Sequence, residues 1–478
     1  MKILSEINAA LSDIVWGTPF LILILGAGVF LSFKLNFFQI TKLSLWLRET
    51  VFSIKKARKQ GDNGTVSPFQ AVCSSLAATV GTGNITGVAA AICVGGPGAV
   101  FWMWVAAFFG MATKFSENVL GIYYRRRNEK GEFSGGAMFY LRDGLSAVPY
   151  IKKIAKPLSF LFAFFCIFAS FGIGNAVQAN NIAVTSVSLF SLLPKTVFGI
   201  VLSPCFLVGL LLAAVTYICL SGGLSGVGKI AERLVPFMAL LYIGGCLYII
   251  FSHFSLLPAA FVSISKGAFG FLPVCGGSLV FLISQTIKTG IKRGVFSNEA
   301  GLASSVTVNA SSSAANPVSQ GMWGIFEVFA DTFVICTLTA LVILVSGNID
   351  LETGRCLSSL EGTALVISAF SSSMGGVAAI FVSVSSLLFS FTTILGWSQY
   401  GIKACEYIFG VSSAAVYRFV FVLFTVIGAT VSLKAAWDIS DIFNGLMALP
   451  NLVGLFFLAP KVKEITGKYT GKRLNLSE

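Results

Sequence analysis

Two segments of this chain set helix-breaking and polar residues inside apolar runs of membrane-spanning length. In the first, Ala77-Ala78-Thr79-Val80-Gly81-Thr82-Gly83-Asn84-Ile85-Thr86-Gly87 places three glycines, threonines and an asparagine within an apolar stretch from about 69 to 94. In the second, Thr289-Gly290-Ile291-Lys292-Arg293-Gly294-Val295-Phe296-Ser297-Asn298-Glu299-Ala300-Gly301 adds charged residues as well. Glycine clusters weaken a helix, and hydrocarbon offers no partner for the backbone groups they release. Such breaks persist at membrane depth only where the freed amides and carbonyls face protein or a watery cavity, and there they hold ligands. The chain therefore reads as a transporter whose site is made largely of backbone.

The elements that position these breaks are membrane helices. Hydrophobic residues make up 55% of the 478-residue chain and charged residues 11%, with 44 Phe; soluble domains carry about one quarter charged residues. Met1 to Asp13 is short and polar, and the apolar run 14–33 is of full spanning length, so no cleaved signal peptide is expected. The ten Cys are scattered through apolar runs without a CxxC pair and read as small core hydrophobes. With a single histidine, His253, a histidine-based metal site is not expected.

Apolar runs predict eleven spans, at about 14–36, 68–94, 98–122, 157–188, 196–220, 229–252, 273–310, 320–346, 375–400, 413–433 and 438–460. Positive residues collect in alternate loops: between 34 and 59, between 125 and 156, at Lys229 and Arg233, and in the tail from Lys461. The opposite loops hold mainly Lys2, Lys195, Lys266, Arg355 and Lys434. The positive-inside rule then sets the N-terminus outside and the C-terminus in the cytoplasm. That distribution accounts for the net charge of +13 without nucleic acid. The setting it implies is a multi-pass protein of a cell membrane, of the bacterial cytoplasmic (inner) type, working as a monomer.

The two breaks suggest a repeated plan. Asn84-Ile85-Thr86-Gly87-Val88-Ala89 and Asn298-Glu299-Ala300-Gly301-Leu302-Ala303 share Asn-x-x-Gly-apolar-Ala at an offset of 214 residues, which also sets Glu117 opposite Asp331. Interrupted helices at matching places in two halves point to an inverted-repeat transporter. With the first span as an extra helix, ten remain: five beginning with the Gly81 break and five with the Gly290–Gly294 break. The expected divisions are 1–67, an extra helix and basic loop; 68–252 and 253–460, the two repeats; and 461–478, a basic tail. Within the more polar stretch from Ser346 to Ser373, Leu360–Phe370 reads as a short helix on the outer surface. No G-x-x-x-x-G-K-[ST] motif occurs, so an ion gradient or the substrate's own gradient must supply the energy.

Thr79 to Ala89, then Gly95-Gly96-Pro97-Gly98-Ala99-Val100-Phe101-Trp102-Met103-Trp104, resemble the alanine/glycine:cation symporter (sodium:alanine symporter) family. So do Gly135-Gly136-Ala137-Met138-Phe139-Tyr140, Gly174 to Asn180, Lys292 to Gly301, and Gly396-Trp397-Ser398. The likeness follows nearly the whole chain in order. It implies an all-α LeuT-like fold, a 5+5 inverted repeat with one extra N-terminal helix, and Na⁺-coupled uptake of small neutral amino acids, alanine or glycine foremost. The Val-Gly-x-Gly-Asn core also resembles the first broken helix of neurotransmitter:sodium symporters, which use backbone there for both substrate and sodium.

A small zwitterion needs one acceptor for its carboxylate and another for its ammonium. Half-helix N-termini suit the carboxylate, and the amides of Thr82 and Gly83 are the candidates; the bland alternative is packing glycines. The ammonium falls to the freed carbonyl of Thr79, with Asn84, Ser297 and Asn298 as further candidates around the two breaks. Gln178 shares a helical face with Asn175 and Asn181. Interhelical hydrogen bonding is the alternative for the two asparagines, and the resemblance assigns Gln178 to substrate. Trp397 is a candidate lid limiting side-chain size, or else an interfacial anchor.

For sodium, the resemblance implies the carbonyls of Ala77 and Val80 and the hydroxyls of Thr392 and Thr393, against hydroxyls merely bonded back to their own helix. Asn84 is a candidate for a second sodium. Lys114 is read as a structural i,i+3 partner of Glu117, while Lys292, Arg293 and Glu299 form either a gate or a span boundary. Proton coupling on the same fold is one alternative function. An ion channel is another, though no filter motif is present. A membrane enzyme would need a catalytic constellation, and neither HExxH nor GxSxG occurs. No cofactor beyond the coupling ion is expected.

Overall fold

A computed structural model describes residues 15–59, 66–129, 131–191, 195–197, 200–270, 279–431 and 433–474. Lys2, the segment Met1 to Asp13 and the first residues of the predicted seventh span (273–278) lie outside the described residues. Apolar sequence in lipid satisfies its backbone by coiling, and the described chain is helical apart from loops and two short ribbons.

The longer helices are α1 (Thr18–Lys34), α2 (Pro68–Thr79), α3 (Gly83–Gly95), α4 (Gly98–Tyr123), α5 (Lys152–Leu189), α6 (Pro204–Ser221) and α7 (Gly223–Ser252). There follow α8 (Leu257–Ala268), α9 (Leu279–Asn298), α10 (Pro317–Val345), α11 (Gly362–Met374), α12 (Val377–Phe409), α13 (Ser413–Thr430) and α14 (Leu433–Leu474). Among the described residues, eight helices are long and apolar enough to cross a membrane, or nine with α2 and α3 as one span bent by 52°. The predicted eleven differ for two physical reasons. The helix in the first span has only 17 residues, and α9, in the seventh, carries Lys288, Lys292 and Arg293. A helix, α11, does lie near 360–370, with Leu365, Val366, Ala369 and Phe370 buried against the bundle; α8 has no counterpart among the predicted spans.

The two interrupted segments lie inside this bundle. α2 packs on α7 and α12, and α9 on α4, while α5 lies against α12 and α14. Contrary to expectation, α9 runs unbroken through Gly290 and Gly294. A Cβ at Gly290 would meet the Ala99 carbonyl oxygen at 2.4 Å, and one at Gly294 would meet Met103 Cα at 3.2 Å. These glycines let α9 and α4 approach closely, the packing use of small residues in membranes. The real break comes after Asn298, where Glu299 (φ 56), Gly301 (φ 93) and Ala303 (φ 55) all turn left-handed and helix resumes only over Val306–Asn309. The shared Asn-x-x-Gly pattern therefore falls after one break and across the other, so its two copies are not equivalent in structure.

Candidate functional site

The first break begins with a well-fixed helix. Ser67 and Gln70 form a reciprocal cap at the start of α2, each backbone N–H meeting the other's side chain at 3.1 Å. The helix stops at Thr79 because Val80 is extended (φ -79, ψ 93), its N–H still reaching the Leu76 carbonyl at 2.8 Å. The next carbonyls, of Ala77, Ala78 and Thr79, have no helical donor ahead of them. Gly81 is required by close approach, since a Cβ there would lie 2.6 Å from Thr393 Oγ1. α3 then opens, led by the amides of Thr82 and Gly83.

A cavity of about 20 Å³ lies at this junction, lined among others by Thr79, Gly81, Thr82, Gly83, Gln178, Phe296, Glu299, Thr393, Trp397 and Asn444. Six of the predicted site residues thus converge: Thr79, Thr82, Gly83, Gln178, Trp397 and Thr393. Gln178 donates through Nε2 to Thr82 Oγ1 at 3.3 Å and to the Ile173 carbonyl at 3.2 Å. Its Oε1 is buried without a partner. Its neighbours are structural: Asn175 donates to the Phe421 carbonyl at 2.6 Å, and Asn181 to Ser386 and Ser390 at 2.8 Å each. Trp397 is 2% exposed and packs at a tilt against Tyr400, ring centroids 5.2 Å apart, which excludes an interfacial anchor.

The predicted sodium ligands separate. Ala77 and Val80 are buried at the end of α2. Thr393 Oγ1 donates to the Phe389 carbonyl at 2.9 Å, and the same oxygen faces Gly81 with its lone pairs still available. Thr392 Oγ1 donates to the same carbonyl at 3.0 Å but lies 3.4 Å from Met238 Sδ, toward α7.

Asn84, Ser297 and Asn298, expected in the substrate pocket, do not line this cavity. They gather around Asp331, in the wide π-turn of α10 (Phe329–Cys336). Asn84 Nδ2 donates to Asp331 Oδ1 at 2.6 Å and Ser297 Oγ to Oδ2 at 2.7 Å. Thr332 Oγ1 donates to Oδ2 at 2.9 Å and receives Asn298 Nδ2 at 3.2 Å. A buried carboxylate draws every donor within reach, and that demand decides where these side chains point. Asn84 Oδ1 meanwhile accepts the Gly81 amide at 2.9 Å, so the cluster ties both breaks to α10.

The charged residues also re-sort. Lys114 does not pair with Glu117; its Nζ donates to the Asn298 carbonyl at 3.2 Å and stands 4.0 Å from Glu327. Glu327 accepts from Ser75 at 2.8 Å and Asn309 at 3.0 Å. Glu117 accepts the Gly301 amide at 3.0 Å and Asn451 Nδ2 at 2.6 Å. Lys292 pairs with Asp441 at 3.2 Å, whereas Glu299 accepts from Ser304, so Lys292 and Glu299 form no gate together. A larger space of about 820 Å³ between α1, α5 and α14 is lined by apolar side chains such as Phe30, Leu161 and Phe456, and suits acyl chains rather than a polar ligand.

Residues 1–477 match the family described as the sodium:alanine symporter family. The sodium/alanine symporter AgcS of Methanococcus maripaludis is 40% identical over 477 residues, 99% of each chain. The amino-acid carrier protein AlsT of Bacillus subtilis is 35% identical over 464 residues, covering 97% of this chain and 91% of its own. Among solved structures, MhsT in complex with L-phenylalanine aligns at a TM-score of 0.54 and 13% identity, over 85% of this chain and 99% of that one. That likeness shows the fold, which is LeuT-like.

Proposed function

The chain belongs to the sodium:alanine symporter family, and on that premise we propose that it carries small neutral amino acids, alanine and glycine foremost, into the cell with Na⁺ by alternating access. It is a multi-pass membrane transporter and not an enzyme. The observation that carries the site assignment is the convergence of the Thr82–Gly83 amides, the Thr79 end of α2, Gln178 and Trp397 on one cavity.

Each end of the substrate has a counterpart there. The carboxylate meets the amides of Thr82 and Gly83 at the start of α3, where backbone N–H groups and the helix dipole favour an anion. The ammonium meets the Thr79 carbonyl and Gln178. Trp397, Phe296 and Ile173 close around the side chain, which restricts it to small groups. At about 20 Å³ the cavity must widen to admit even alanine, a role suited to hinges at the two breaks. Sodium takes hard oxygens from the Ala77 and Val80 carbonyls and the Thr393 and Thr392 hydroxyls, with Thr393 the better placed. Asn84, Ser297 and Asn298 act on substrate indirectly in this reading, by holding the two breaks to Asp331.

The full plan proposed is eleven spans, a 5+5 repeat over 68–252 and 253–460 behind an extra helix in 1–67, working as a monomer. The N-terminus is outside a bacterial cytoplasmic membrane, and the tail 461–478 is inside. Introduced cysteines at residues 60 and 470 should be labelled only from the cytoplasmic side; labelling of either from outside intact cells overturns this topology. For the pocket, Gln178→Ala should weaken alanine binding by about 1.5–3 kcal/mol, roughly ten- to over a hundredfold, while the purified protein stays folded. Calorimetry showing unchanged affinity would leave Gln178 a packing residue.

A further inference from the structure

One wall of the cavity comes from a helix that the break-centred reading does not use. Asn444 lies on α14, is 2% exposed and lines the cavity, and its Oδ1 is buried without a hydrogen-bond partner. Gln178 Oε1, in the same lining, is likewise buried and unpartnered. Glu299, 3% exposed, adds a carboxylate to that lining, with Ser304 donating to its Oε2. Buried acceptors without donors are rare in folded proteins, because each has lost its water for nothing in return. What distinguishes this pair is that both oxygens line one small cavity beside a carboxylate, a lining that suits a ligand rich in N–H donors.

The helix that brings Asn444 there is anchored one turn away. Asp441 accepts Lys292 at 3.2 Å, and the Asp441 carbonyl accepts Trp16 Nε1 at 2.9 Å. Residues three apart share a helical face, so fixing Asp441 also fixes the approach of Asn444. The conformation at Glu299 has a similar effect: its left-handed φ of 56 turns the chain at the end of α9.

We propose that Asn444, Glu299 and Gln178 form a three-sided acceptor wall for the substrate's primary ammonium group, making α14 part of substrate recognition. This rests on the amino-acid reading of the cavity given above. The chemistry is complementary: a primary ammonium has three N–H donors and one positive charge, and the wall adds a second neutral oxygen and a carboxylate to the Thr79 carbonyl and Gln178 already assigned to it. It leaves the Thr82–Gly83 amides to the carboxylate, so the zwitterion is read at both ends. The site should therefore count N–H bonds and favour primary over N-methylated amino acids.

The test compares binding of L-alanine and N-methyl-L-alanine to the purified full-length protein at saturating sodium, by calorimetry. Sodium-dependent alanine binding by the wild type tests the transport reading on its own. The wall is tested only by how variants change the ratio of the two affinities. Asn444→Leu should weaken alanine roughly tenfold or more, the usual effect of losing one hydrogen bond to a charged group, and N-methylalanine much less. Asn444→Asp, which keeps acceptors at that place, should restore most of the preference. Glu299→Gln, keeping shape without charge, should weaken both ligands together. Asn444→Ser, too short to reach, gives the same comparison as leucine should the leucine variant fail to fold. An unchanged alanine to N-methylalanine ratio in the leucine or serine variant overturns the proposal. So does a rise in the sodium concentration needed for half-saturation without a change in that ratio, which would make the wall a cation site.

Discussion

The two breaks solve the same physical problem by different means. At the first, the chain leaves helix for three residues, Val80 to Thr82, and resumes at Gly83 with a bend of 52°. Glycine makes that detour cheap, and what the break presents is backbone: carbonyls at the end of α2 and amides at the start of α3. At the second, three residues with left-handed backbone, two of them not glycine, carry the chain from Asn298 to Val306. Side chains on other helices satisfy it: Lys114 takes the Asn298 carbonyl, Glu117 the Gly301 amide and Asn451 the Gly301 carbonyl. At the first break Asn84 holds both backbone groups of Gly81, while Thr79, Thr82 and Gly83 line the cavity. The second is held by charge, and Glu299 is the residue it turns toward the cavity.

The largest effect should follow from removing that charge support. Lys114 stands 4.0 Å from Glu327 and lies within electrostatic reach of Glu117 and Glu299, all of them buried. Lys114→Met should destabilise the protein by about 3–5 kcal/mol, because a buried carboxylate left without its partner costs more than the pair contributed. Adding Glu327→Gln should recover part of that loss. Thermal unfolding in detergent reads both effects. A single variant as stable as wild type would mean that the second break stands on packing alone.

At the first break the corresponding change should act on binding more than on stability. Gly81→Ala pushes a methyl group into Thr393 Oγ1, 2.6 Å away, and so forces α2 from α12 at the proposed sodium site. Overpacking of this kind costs about 1–3 kcal/mol, and here it should appear as roughly five- to over a hundredfold weaker sodium dependence of alanine binding. An unfolding midpoint lowered as far as in Lys114→Met would erase the distinction between the breaks.

What the sequence made legible follows the same division. The first break was readable because a glycine cluster in lipid violates a strong rule, and Thr79, Thr82 and Gly83, named from it, meet at one cavity, whereas Asn84 turns to Asp331. The second was misplaced by about ten residues, from Gly290–Gly294 to Glu299–Ser305, because a glycine reads alike whether it ends a helix or lets two helices touch. The pull of Asp331 on Asn84, Ser297 and Asn298 depends on contacts between helices 34 and 247 residues apart in sequence, which spacing does not encode. Asn444 had a signal that passed unread: Asp438, Asp441 and Asn444 recur every three residues along an apolar helix, a polar stripe that needs a polar neighbour. Among the described residues the structure falls short of the predicted eleven spans at the 17-residue α1 and at α9 with its three basic residues, because an apolar run in sequence does not fix how long or how apolar the helix within it will be.

The smallest effect separates two adjacent threonines. The resemblance treats Thr392 and Thr393 as one pair of sodium ligands, yet only Thr393 lines the cavity and faces Gly81. Both hydroxyls donate to the Phe389 carbonyl, so their protons are already committed and only the lone pairs are available to a cation. For Thr393 those lone pairs point toward the break; for Thr392 the neighbour is Met238 sulfur, a poor partner for a hard ion. Thr393→Val, which nearly keeps the volume, should raise the sodium concentration needed for a given alanine affinity by an amount worth about 1 kcal/mol, roughly fivefold. Thr392→Val should shift it far less. Linkage requires the reciprocal result, that alanine tightens sodium binding by the same factor in each protein. At saturating sodium both variants should approach wild-type alanine affinity, because neither hydroxyl contacts the amino acid. Alanine titrations across a sodium series, with choline holding ionic strength constant, measure all three quantities. Equal shifts in the two variants would restore the paired site and place Thr392 at the ion despite its position against α7. Alanine binding that ignored sodium but followed pH would remove sodium from this break altogether.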